Sequence, residues 1–113
     1  MIDSFSFGTM VIEGQTYQSD LFIYPDGRVK AGWRRKSGHR LSYGDISDLA
    51  QGGIEVIVAG KGVSGRMEPD EDIHRQLQQR GIEFIALPND EAVVLYNRLF
   101  TKRRVAACFH LTC

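Results

Sequence analysis

From residue 3 to residue 33 apolar positions recur with a period of two, the signature of strands with one face on a core. Phe5 and Phe7 share one phase, whereas Met10 and Ile12 take the other. That one-residue slip falls at Gly8-Thr9, where a bulge or bend is expected. Glu13-Gly14 then turns the chain. Tyr17, Leu21 and Ile23 keep one phase and Phe22 and Tyr24 the other, before a strong turn signal at Pro25-Asp26-Gly27. Val29, Ala31 and Trp33 alternate after it, so the block is predicted to be an antiparallel meander.

Residues 34–53 are polar and lead to a short helix after Ser42, with Ile46, Leu49 and Ala50 inward and a stop at Gly52-Gly53. Ser42 and Asp45 have the spacing of a capping box, with Asp in place of the usual Glu. From residue 54 the period changes back and forth between strand and helix. Ile54 to Ala59 is apolar on both faces, as a covered parallel strand requires. A helix of about three turns is predicted from near Pro69, suited to a first helical position, to Gly81, suited to a C-cap. Ile82 to Leu87 is the next strand, and Asn89 is expected to cap a helix burying Ala92, Val93, Tyr96, Leu99 and Phe100. Arg104 to Leu111 reads as a last strand buried on both faces, followed by Thr112 and Cys113.

Strands joined by full helices run parallel with right-handed crossovers. The expected fold is therefore α/β: one compact three-layer domain over residues 1–113, whose mixed β-sheet combines an N-terminal antiparallel meander with a C-terminal β-α-β-α-β unit. The carboxyl ends of the parallel strands would then share one edge, carrying the Gly60 loop, the Pro88-Asn89 turn and residues 110–113. Open α/β sheets bind ligands at such an edge.

Composition narrows the function classes. Fourteen basic residues balance fourteen acidic ones, so no global field favours nucleic acid or anionic lipid. No apolar run approaches the ~18 residues of a membrane span, and no basic-apolar leader opens the chain. Cys108 and Cys113 on one strand would lie roughly 16 Å apart at ~3.3 Å per residue, beyond the about 7 Å that a disulfide bridges. Two free thiols suit a reducing compartment, and the expected location is cytoplasmic.

Candidate chemistry is sparse. Gly60-Lys-Gly62-Val-Ser64-Gly65 matches the dinucleotide fingerprint, but the next predicted helix begins beyond the third glycine and opens with acidic residues that repel a pyrophosphate. No cofactor is expected. A tight turn, or a small ligand or partner side chain resting on exposed backbone amides, are the remaining uses. Strand alternation places Cys108 and His110 on one face and Cys113 on the other, which argues against a metal set. Cys113 with His110 as base is the one nucleophile-base pairing available. Cys108, between small neighbours, reads as core. The run Trp33-Arg34-Arg35-Lys36 is either a solvated surface or, in the alternative, a surface recognising an acidic partner with the Trp33 indole as anchor.

Taken together, Phe7-Gly8, Trp33-Arg34 with His39, Val58-Ala59-Gly60-Lys61-Gly62, Gly81-Ile82, Ala92-Val93 with Tyr96-Asn97, Arg104 to Ala107 and Phe109 to Cys113 resemble one family over essentially the whole chain. It is the Mth-type domain of unknown function, whose members include the adipogenesis-associated protein and a mitochondrial complex I assembly factor. The resemblance implies a three-layer α/β fold and no established catalysis, with the assembly-factor branch acting through protein contacts. Carried over by position, the family's marks fall on Trp33, Arg34, His39, Gly60, Gly62, His110 and Cys113. This chain departs from relatives in having Cys108 where they carry small residues, and Asn89 where they commonly carry Thr. It shows no mitochondrial presequence.

The sequence therefore leads to an uncharacterised, non-enzymatic protein-interaction module, supporting assembly of a larger, respiratory type of complex. The competing reading is a small-molecule binder or enzyme using the cleft between the Gly60–Gly65 loop and the His110/Cys113 segment. The expected surface for either comprises Trp33, Arg34, His39, Gly60, Gly62, Ser64, His110 and Cys113, with no metal, no nucleic acid and no membrane span.

Overall fold

The central layer is a five-stranded mixed sheet, ordered β5-β4-β10-β7-β9, in a computed structural model that describes residues 1–51 and 53–113. Its parallel part is β7 (Val56–Gly60), β9 (Glu83–Leu87) and β10 (Val105–Phe109), with β10 and β9 both parallel to β7. The antiparallel part is β4 (Leu21–Ile23), paired to β10, and β5 (Val29–Ala31), paired to β4. Side chains alternate between two cores, as a period of two demands. Val56 and Val58, Val105, Ala107 and Phe109, and Leu21 and Ile23 enter one core. Ile57 and Ala59, Ala106 and Cys108, and Phe22 enter the other. Every residue of β7, β10 and β4 is buried, which explains why these segments read as continuous apolar runs.

The first core is covered by helix α3 (Asn89–Leu99) and by a separate antiparallel sheet of β1 (Ile2–Ser6), β2 (Thr9–Ile12) and β3 (Gln15–Tyr17). The predicted continuous meander is thus divided between two sheets. The phase slip at Gly8-Thr9 is a hairpin rather than a bulge: Ser6 pairs with Thr9 across Phe7 and Gly8, with Gly8 at φ +80°. The Glu13-Gly14 turn holds both residues at positive φ (49° and 77°), the geometry that twists with a two-residue hairpin. Asn97 fixes this sheet on α3, because its side chain accepts from the Ile2 N–H and donates to the Ile2 carbonyl, both at 2.9 Å.

On the opposite face lie α1 (Tyr43–Ile46), a 3-10 turn at Ser47–Leu49 and α2 (Ile73–Gln78). The Ser42–Asp45 capping box is present, with the Asp45 carboxylate accepting from Ser42 N and Oγ at 2.9 Å. Of its expected stop, Gly53 has φ +76° and Gly52 lies outside the described residues. Helix α2 is half the expected length. Pro69 is not its first residue but belongs to β8 (Glu68–Pro69), which pairs in parallel with β6 (Arg40–Leu41). The thin apolar stripe, Ile73 and Leu77, supports only the six residues that cover the sheet.

Candidate functional site

The three parallel strands bring their carboxyl ends to one edge, and β4, antiparallel to β10, adds its amino end there. Phe109 pairs with Leu21, so Asp20, one residue before β4, stands beside the segment that follows β10. Its carboxylate is the hub of the edge. Asp20 Oδ1 accepts the backbone N–H of Leu111 at 2.8 Å, and Oδ2 lies 2.8 Å from both Arg35 Nη1 and His110 Nδ1. The side chains are 17%, 5% and 9% exposed for Asp20, Arg35 and His110. Burial by itself would push the Asp20 carboxyl up. The hydrogen bonds from His110, Leu111 and Arg35 outweigh it and hold the group below its ordinary range.

Arg35 is locked on three sides. Its guanidinium stacks 4.7 Å over the Trp33 ring, donates through Nε and Nη2 to the Gly38 carbonyl (3.2 and 2.9 Å), and reaches Asp20. Nη2 also lies 3.0 Å from His110 Nδ1. One imidazole nitrogen cannot both donate to Asp20 and accept from a guanidinium, which has only donors. The shorter contact to a charged acceptor decides: Nδ1 carries the proton and donates to Asp20. In the neutral ring Nε2 then presents its lone pair, and Thr112 Oγ1 lies 3.3 Å from it. The His39 ring stands edge-on to the His110 ring at 5.9 Å. Cys113 joins them, with the donor atoms of His39, His110 and Cys113 all within 4.8 Å of one another. Alternation alone put Cys113 on the other face from His110. The strand ends at Phe109, so the phase does not carry through to residue 113.

The glycine loop does reach this segment, but as its clamp. Val63 N donates to Thr112 O at 2.7 Å, Arg66 N to Cys113 O at 2.9 Å, and Gly65 N to Gly62 O at 3.1 Å. Asn89 completes the joint: Oδ1 accepts from Gly62 N at 3.1 Å while Nδ2 donates to His110 O at 2.8 Å. The loop amides at Gly62, Val63 and Gly65, offered as a seat for a ligand in the alternative to a plain tight turn, are thus already paired, as is that of Arg66. A methyl group on Gly60 would overlap the Phe109 ring and Asn89 Oδ1, and one on Gly62 would overlap the Cys113 backbone. The cleft expected between loop and segment is filled by these contacts.

Asn89 is a second correction. It is the first residue of α3, not its cap, and it is buried. Trp33 is a third. It is 7% exposed, stacks on Phe22 at 4.9 Å and donates from Nε1 to Asp45 O at 3.0 Å, so it is a core residue rather than a contact anchor. Arg34, His39 and Ser64 are exposed, Gly60 and Gly62 are buried, and Cys113 is half-buried. Asp20 and Arg35 were not expected at the site. The signal for Asp20 was its place directly before the all-apolar Leu21-Phe22-Ile23; Arg35 stood out only as one member of the basic run 34–36. Cys108 is buried and free, its thiol pushed up by burial.

A family model described as "Protein of unknown function (DUF498/DUF598)" matches residues 2–110. The chain belongs to the DUF498/DUF598 family. Solved structures place this family member in the Mth-type fold. A conserved hypothetical protein from Pyrococcus horikoshii OT3, PH1505, is 26% identical with a TM-score of 0.87, over 100% of this chain and 99% of that one. The protein MT938 is 30% identical with a TM-score of 0.84, over 100% and 98%. A Mth938-like domain from Bordetella pertussis is 15% identical with a TM-score of 0.73, over 98% and 85%, and shows the fold alone. Among the described residues of this DUF498/DUF598 chain, no helix is long and apolar enough to cross a membrane.

Proposed function

We propose that residues 1–113 form one Mth-type domain that works as a non-enzymatic protein-interaction module, engaging a partner through the rim around residues 110–113 and supporting assembly of a larger complex. One observation carries this reading. Two large apolar side chains, Phe7 at 64% and Val63 at 41% exposure, sit on turns that hydrogen-bond to adjacent residues of that rim: Gly8 N to Leu111 O (2.8 Å) and Val63 N to Thr112 O (2.7 Å). Exposed Arg34, Lys36 and Arg66 belong to the loops that flank it. Apolar anchors ringed by cations suit a partner with an apolar centre and acidic margins. The two free cysteines fit a reducing, cytoplasmic setting.

Affinity capture from native lysate tests the reading when wild type is compared with a Phe7→Ser/Val63→Ser double variant. The expected result is a stoichiometric partner with wild type, lost in the variant and weakened by salt. Recovery of the domain alone, or the same partner with both proteins, overturns it.

A small-molecule binder or enzyme is the second reading, favoured by the fixed His110 imidazole beside Cys113. A melting shift across a metabolite panel would support it. Unchanged activity in Cys113→Ser and His110→Ala proteins would end its catalytic form.

A further inference from the structure

His110 and Cys113, three residues apart on one segment, are met by His39 from the 36–39 loop, so that two imidazoles and a thiol come together. We propose that these three side chains form a zinc site, with the fourth coordination position open to water or to a partner's side chain.

The donor set selects the ion. Two nitrogens and one sulfur, with no carboxylate among them, suit Zn2+ and not the oxygen-seeking Mg2+ or Ca2+. The surroundings prepare one ligand in advance. A metal-binding histidine characteristically donates its other ring N–H to a carboxylate, which fixes the tautomer and the ring orientation. His110 does this toward Asp20 at 2.8 Å, leaving Nε2 as the ligand atom. Asp20 is itself held by Arg35 and by the Leu111 amide, so the imidazole cannot swing away. The Arg35 charge beside His110 is matched by Asp20.

Spacing is compatible with closure on an ion. Zn–N bonds of about 2.0–2.1 Å and a Zn–S bond of about 2.3 Å place tetrahedral donors about 3.3–3.6 Å apart. The donors here lie within 4.8 Å of one another, so an approach of about an ångström completes the site. His39 can supply that movement because its side chain is exposed, while its backbone is anchored by Glu68 N donating to His39 O at 2.8 Å. The Cys113 backbone is held by Arg66 N at 2.9 Å. On binding, the Cys113 thiol loses its proton to solvent, and the ion takes the Nε2 lone pair that Thr112 Oγ1 approaches at 3.3 Å. The inference stands apart from the protein-interaction reading and survives its failure.

The test is titration of the reduced 113-residue chain with Zn2+ and, for a spectroscopic signature, Co2+. One equivalent is expected, with a thiolate-to-cobalt charge-transfer band and tetrahedral d–d absorption. Cys113→Ser should abolish the charge-transfer band, whereas Cys108→Ala should keep it. Asp20→Asn should weaken binding roughly 10–100-fold, and His39→Ala and Cys113→Ser should each weaken it more. Both of the latter alter solvent-accessible side chains, and far-UV circular dichroism checks that they fold. Binding well below one equivalent, or wild-type affinity in both His39→Ala and Cys113→Ser, overturns the site.

Discussion

Asp20 and His110, 90 residues apart in the chain, share a 2.8 Å contact at the one edge where β4 and β10 meet head to tail. The pair joins the antiparallel and parallel halves of the central sheet. It also fixes which ring nitrogen of His110 faces the rim, so one carboxylate serves both the fold and the site.

Removing that carboxylate should be costly. Asp20→Asn leaves the nearly buried Arg35 guanidinium without its counter-charge and weakens the acceptor for His110. The expected loss is about 2–4 kcal/mol, less than for a fully buried pair because Asp20 keeps 17% exposure. Urea unfolding at neutral pH measures it. The folded protein holds the Asp20 carboxyl below its ordinary value of 3.8, so folding is favoured while that group is ionised. Its contribution is complete above the unfolded value and drains away as pH falls through the lower folded one. The stability gap between wild type and Asp20→Asn should therefore be widest near neutrality and narrow below about pH 4. A gap that widens on acidification would contradict the assignment.

The parallel half of the sheet was legible because β7 and β10 face two cores and contain nothing polar. The amino-terminal half was not, because a period of two gives the same pattern whether a strand joins the central sheet or a second one. The phase change at Gly8 marked a real boundary, yet a hairpin and a bulge both produce it. Helix α2 was overextended because polar residues with good helix propensity surround two anchors, and burial decides where such a helix stops. The convergence of Gly62, His110 and Cys113 at one edge followed from the topology. Asp20 and Arg35 were hidden because a charge in a loop has no periodicity, and Trp33 was misplaced because its cationic neighbours look the same whether the indole is outside or stacked beneath Arg35.

That stacking makes Trp33 a reporter. It is the only tryptophan in the chain, and its indole packs between Phe22 and Arg35. Native emission should be blue-shifted and poorly quenched by iodide, moving red on unfolding. Trp33→Ala should cost about 3–5 kcal/mol, whereas an exposed anchor would cost almost nothing.

Asn89 should resist replacement even by its closest analogues. Its amide serves Gly62 N and His110 O at once. Asn89→Ala strands both buried groups, each costing about 1–3 kcal/mol. Asn89→Asp keeps an acceptor for Gly62 but sets a negative charge against the His110 carbonyl, so it should also be destabilised. Hydrogen exchange gives the local readout: in Asn89→Ala the Gly62 amide should lose protection far more than amides of β9. Equal protection in both proteins would mean that the joint does not depend on this side chain.

The glycines of the loop should separate by geometry rather than by position in a motif. Gly60→Ala drives a methyl into the Phe109 ring and Asn89 Oδ1, two side chains held in place by burial and by the Asn89 hydrogen bonds. Overpacking of this kind costs about 1–3 kcal/mol or more. Gly62→Ala adds a left-handed backbone at φ +104° to an overlap with Cys113, so it should be at least as damaging. Gly38→Ala meets nothing within 4 Å and has no positive φ to satisfy, which makes it the neutral control. If Gly62→Ala melts with the control, residues 110–113 are not packed on the loop. If it falls with Gly60→Ala, the closed joint between loop and segment is established in solution.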